Sequence, residues 1–137
     1  METLHSGLPE LIADEEDLAR FLTSSSQYNA KMVKPSVFLP EPKDRETSVF
    51  RHGSEPRANL WALGIEYAVQ GRNLHGAAII KAHQARSAAL EAIADEPPSR
   101  HGTLRNWPWN ENDPELQKAM QKDRANLLAS IAELIRR

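Results

Sequence analysis

The sequence contains no cysteine. That excludes disulfides, thiolate metal sites, iron–sulfur clusters and a cysteine nucleophile. No apolar run approaches the ~18 residues that a membrane span needs. No basic, apolar leader opens the chain, since residues 1–20 are acidic, so no signal peptide is expected. A cytoplasmic address is the simplest expectation. Excess charge of one sign is also missing, with a net of −2. The bases are too dispersed for a groove that tracks phosphates, so nucleic acid is not an expected partner. No repeat of solenoid period is present.

What remains is ordinary for one domain. The 137 residues are 40% apolar and 26% charged, enough for a core without staples. The expectation is a single α+β domain over 1–137, frayed at 1–8, with a short, mostly antiparallel sheet covered by three to four helices. Charge is uneven along it. Residues 1–30 carry six acids against Arg20 alone, whereas 31–51 and 98–137 are each mildly basic.

Leu8, Leu11, Ile12, Leu18, Phe21 and Leu22 approach helical spacing, with acids between them. They predict a helix over 9–24, ended by Ser24-Ser25-Ser26. Val37-Phe38-Leu39 lies between Pro35 and Pro40 and reads as an edge strand over 36–39. Thr47-Ser48-Val49-Phe50-Arg51 alternates with β-forming residues, giving a strand over 47–51 and a hairpin with the first. A helix follows over 56–70, opened by Glu55-Pro56 and stopped at Gly71. Residues 74–95 fit one helix by period, or else strand, short helix and strand over 75–80, 81–89 and 90–94. Residues 103–106 read as a further short strand. Asp113-Pro114-Glu115 caps the most secure helix, over 114–135.

Three of the five histidines precede glycine: His52, His75 and His101. Histidine can serve as nucleophile, acid, base or metal ligand, and a following glycine admits a substrate to the backbone. Arg51-His52-Gly53 resembles the signature of the histidine phosphatases, although the chain is too short for that family's sheet. His52-Gly53-Ser54 and His101-Gly102-Thr103 fit the His-x-Ser/Thr pattern of two-histidine phosphoesterases. There the imidazoles share acid–base work while the hydroxyls bind phosphate. A metal site could draw on His52, His75, His83 or His101 with Asp95 or Glu96, but no ligand-like spacing exists, and no metal or cofactor is expected. Against all of these, His-Gly is a natural turn dipeptide.

Aromatics are only 6% of the chain, so Trp107-Pro108-Trp109 stands out. Trp107 is expected to seal the core and Trp109 to offer a partner contact, with Arg105 adding charge.

The landmarks Val33-Lys34-Pro35, Phe38, Pro40, Ser48-Val49-Phe50-Arg51, Trp61-Ala62-Leu63-Gly64, Leu74-His75-Gly76, Asp95-Glu96-Pro97-Pro98, Arg100-His101 and Trp107-Pro108 resemble a family of small uncharacterised bacterial proteins. The likeness spans Val33 to Pro108. It implies strand, short helix, strand after Leu-His-Gly, which favours the split reading of 74–95. It implies no activity, but it places His75 and His101 on landmarks. The leading functional expectation is a non-enzymatic accessory module. It would dock a protein partner through Trp109, Trp107, Arg105 and the acidic N-terminal helix, with a homodimer also open. The alternative is a small phosphoesterase or RNA-processing enzyme. It would pair His75 and His101 as acid and base, with Arg100 on phosphate.

Overall fold

A computed structural model describes residues 3–52, 56–68 and 71–137. Gly53, Ser54 and Glu55, which carry the first His-Gly pattern and the expected helix start, lie outside the described residues, as do Val69 and Gln70. The described chain forms one six-stranded sheet in which every pairing is antiparallel. Its strands are β1 (Asp17–Leu22), β2 (Thr47–Arg51), β3 (Gly76–Lys81), β4 (Glu91–Ala94), β5 (His101–Arg105) and β6 (Glu133–Arg136). They stand in the order β4-β5-β2-β1-β3-β6. Three α-helices accompany them: α1 (Arg57–Leu63), α2 (Ala82–Ser87) and α3 (Pro114–Ile131). The architecture is α+β, with a larger sheet and fewer helices than expected.

Strand alternation divides the core. On one face lie Leu18, Leu22, Val49, Ala78, Ile80, Ala92 and Leu104, packed with Ala125, Leu128 and Ala129 of α3. On the other lie Ala19, Phe21, Phe50, Ala77, Ile79 and Ile135, under Leu60, Trp61, Leu63 and Tyr67. Gly64 permits that second contact, because a Cβ there would stand 2.8 Å from the Phe21 ring.

The predicted helix over 9–24 is overturned. Its second half is β1, where Leu18, Ala19, Phe21 and Leu22 are all buried. Neighbouring residues buried into two opposed cores require the two-residue period of a strand. Leu11, counted on the helical stripe, is 74% exposed. Three of the four acids of 14–17 are spent on the fold, as Asp14 pairs with Arg86, Glu16 with Arg51 and Asp17 with Lys81.

The predicted strand at 36–39 is instead a short 3-10 turn, Pro35–Val37. Proline's fixed φ starts the turn, and Val37 and Phe38 both bury into the core that α3 covers. The expected hairpin therefore does not form, and β2 pairs with β1 and β5. Residues 74–95 do split, into β3, α2 and β4. The last helix stops at Ile131, because Ala132 turns extended and the chain returns as β6 beside β3. Leu134 packs on one core and Ile135 in the other, which a continued helix could not achieve. At the other end, Thr3 bridges Pro9, and the Ser6 hydroxyl and N–H both donate to Glu96.

Candidate functional site

Helix α1 is short. It and the π-helical turn that continues it, Gly64–Ala68, lie over the β1, β3 and Phe50 part of their face. On β2 and β5 the same face carries Ser48, Phe50, His101 and Thr103, by strand parity and register. There the sheet opens into a cavity of about 420 Å³, whose wall includes Ser48, Phe50, His101, Tyr67, Arg20 and Arg72.

His101 is the centre of this site. Its side chain is only 12% exposed, and both ring nitrogens are engaged. Nδ1 lies 2.8 Å from the Asp95 carbonyl oxygen and 3.6 Å from the Asp95 carboxylate. Nε2 lies 2.6 Å from the Ser48 hydroxyl. Both groups facing Nδ1 can only accept, so Nδ1 carries the proton. In the neutral ring Nε2 is then an acceptor, and Ser48 donates to it. That is the polarity by which a base takes a proton from a hydroxyl.

The turn between β4 and β5 builds this geometry. The Asp95 N–H donates to the His101 carbonyl and the His101 N–H to the Pro98 carbonyl. Between them Arg100 sits at φ +68, a left-handed conformation costing roughly 1 kcal/mol or more for a residue with a Cβ. It is held there by its N–H on Glu96 and its Nε on the Arg51 carbonyl. Burial alone would raise the Glu96 carboxyl. Hydrogen bonds from Ser6 and the Arg100 N–H, with the Arg51 charge, outweigh burial and hold it below its ordinary value.

The cation on the wall has its own cause. Strands β1 and β2 pair at only two positions, Leu18 with Arg51 and Ala19 with Phe50. Beyond them the half-buried Arg20 fills the gap. Its Nη1 donates to the Ser48 carbonyl and its Nε to the Val37 carbonyl, both at 2.9 Å. Burial lowers its guanidinium from the ordinary value, and the Glu41 charge opposes this. Across the cavity Tyr67 stacks on Phe50. A hydrogen bond to Glu66, then that residue's charge, raises the Tyr67 phenol, which keeps its proton.

The structure does not bring His75 and His101 together. His75 bonds Tyr28 through Nδ1 at 2.9 Å and lines none of the cavity walls around His101. Arg100 points its Nε and Nη2 at the carbonyls of Arg51 and His52. His83 is on α2, away from the cavity lining, and no group of three or more His, Asp or Glu able to hold a metal occurs among the described residues. Trp107 is buried, with its indole N–H unpartnered among the described residues. Trp109 is half-buried under the Arg45 guanidinium, 4.3 Å from the ring centroid. Arg105 pairs with Glu46.

Sequence reasoning gave Ser48 and Arg20 no functional role, and the one chemical role it weighed for Asp95 was that of a metal ligand. The available signal was parity, because Ser48 shares its face with Phe50 in a strand read correctly. No described helix is long and apolar enough to cross a membrane. No protein-family model, curated protein or solved structure matches this chain.

Proposed function

We propose that this protein is a small hydrolase using Ser48 as nucleophile and His101 as general base. The observation that carries this reading is the 2.6 Å contact from the Ser48 hydroxyl to His101 Nε2, with Nδ1 committed to Asp95 on the far side of the ring. A nucleophile bonded to a base, and the base bonded to a third group that fixes its tautomer, is the arrangement that activates an otherwise weak hydroxyl. Ser48 is exposed on its cavity wall, so a substrate can reach it.

In the first step the Ser48 oxygen bonds the electrophilic centre and His101 Nε2 takes the hydroxyl proton. The leaving oxygen departs with that proton. Water then repeats the sequence and frees Ser48. Asp95 is a positioning residue, acting mainly through its carbonyl.

The reading is tested by hydrolysis of activated p-nitrophenyl esters by the wild-type chain, Ser48→Ala and His101→Gln. Each substitution is expected to lower kcat by roughly 10³-fold or more. Asp95→Ala keeps the carbonyl and should cost no more than about ten-fold, together with a displaced pH profile. Equal rates in wild type and Ser48→Ala would refute the reading.

A docking role keeps one supporting observation. Trp107, Pro108 and Trp109 border a second cavity with Asn106 and Met120 beside α3. Asp17–Leu22 is a strand, so no acidic N-terminal helix shares that role and the Trp109 loop alone would carry the contact. Trp109→Ala would then abolish partner capture while leaving ester hydrolysis intact.

A further inference from the structure

We infer that the substrate is a phosphate monoester of a flat, ring-bearing alcohol, with Arg20 and Arg72 holding the phosphate. This deepens the hydrolase reading and rests on it. Arg20 and Arg72 are among the residues lining the Ser48–His101 cavity, and Glu41 is the one carboxylate among the described lining residues. Arg20 donates to the Val37 and Ser48 carbonyls, and among the described residues no carboxylate is in direct contact with its charge. Arg72 is exposed and forms no ion pair among the described residues. Planar guanidinium donors match the oxygens of a phosphate better than the single developing oxyanion of an acyl ester. The Ser48 carbonyl anchors Arg20 beside the nucleophile, where an oxygen of the transferred group would stand.

The rest of the wall selects the alcohol. Phe21, Phe50 and Tyr67 line the same cavity, and Phe50 and Tyr67 lie nearly parallel, 15° apart. A rigid aromatic wall beside a cationic one favours a ring attached directly to an anion. Thr23 and Gln27 add hydrogen-bonding groups at the rim.

The step balances without a further reactant. The Ser48 oxygen forms a bond to phosphorus as the phosphorus–alcohol oxygen bond breaks. The Ser48 proton passes to His101 Nε2 and from there to the departing alcohol oxygen. Water then attacks the phosphoserine, His101 accepts its proton, inorganic phosphate leaves, and the proton returns to Ser48.

The test compares p-nitrophenyl phosphate with the neutral p-nitrophenyl acetate, using the full chain. Wild type is expected to cleave the phosphate with at least about ten-fold higher kcat/KM and to yield a phosphoserine at residue 48 on acid quench. Arg72→Glu, an exposed substitution, should cut that preference by about ten-fold or more through KM. Lys118→Glu, on α3, changes the net charge equally and should leave the preference alone. An acetate cleaved as well as the phosphate, or a preference unmoved by Arg72→Glu, overturns the substrate class. So does absence of phosphate release while a neutral fluorophosphonate still labels Ser48. If that reagent also fails to label Ser48 and neither ester is cleaved, the hydrolase reading falls and takes this inference with it.

Discussion

Replacing Arg51 by methionine isolates the interaction that ties the nucleophile's strand to the N-terminal segment. The Arg51 side chain is fully buried, and its partner Glu16 is 18% exposed. Nε and Nη2 donate to the two carboxylate oxygens at 2.9 Å each, and Nη1 donates to the Pro9 carbonyl at 2.7 Å. Methionine fills most of the volume but supplies none of these bonds. Glu16 is left as a carboxylate with little access to water, and the Pro9 carbonyl loses its donor. Breaking one side of such a buried pair costs roughly 3–5 kcal/mol. The partial exposure of Glu16 places the expectation at the lower end, about 3–4 kcal/mol. For a chain of this length that corresponds to a fall in Tm of about 10–14 °C, read by circular dichroism and urea titration. The double variant Glu16→Gln/Arg51→Met should be at least about 1 kcal/mol more stable than the sum of the single losses predicts, because each single change strands a charge that the double change removes. A single variant within 1 kcal/mol of wild type, or strictly additive losses, would refute this account of the pair.

The remaining predictions concern the sheet, the acid limb and the core. A Cβ on Gly76 would stand 2.3 Å from the Ile135 carbonyl oxygen, so Gly76→Ala should displace β6, cost roughly 2–4 kcal/mol and release the β6 amides to hydrogen exchange. Retained protection there would refute the close packing. Glu96, whose carboxyl is held below its ordinary value, contributes stability that is complete above the unfolded carboxyl range. That contribution is lost as pH falls through the lowered folded value. Urea midpoints followed from pH 6 to pH 3 should therefore drop less steeply in Glu96→Gln than in wild type, and parallel curves would contradict the assignment. Trp107→Phe removes an indole N–H with no partner among the described residues and should stay within about 1 kcal/mol, whereas Trp107→Ala should cost roughly 3–5 kcal/mol in thermal melts.

The legible parts of the fold were those where local chemistry and tertiary demand agree. Asp113 caps α3 on the Leu116 N–H as its position ahead of Pro114 implies, and Thr47–Arg51 is a strand as its alternation implies. The failures at the two ends of the chain share one cause. In β1 and β6 adjacent apolar residues feed two separate cores, and a short run with apolar residues on both faces also satisfies a helical period. Val37 and Phe38 look like strand residues, but Pro35 and the approach of α3 turn them into a 3-10 turn. The candidate site was half visible. His101 stood out by its type and by the glycine after it. Ser48 lies 53 positions away and meets His101 only because β2 pairs with β5, a long-range register that no local pattern reveals.

Labelling by a neutral fluorophosphonate, followed by intact mass and peptide mapping, tests the central claim most directly. The account predicts one adduct, on Ser48, formed in wild type, slowed by about a hundred-fold or more in His101→Gln and absent in Ser48→Ala. An unlabelled Ser48 in a folded wild-type chain, or labelling that is as fast without the His101 imidazole, would contradict it.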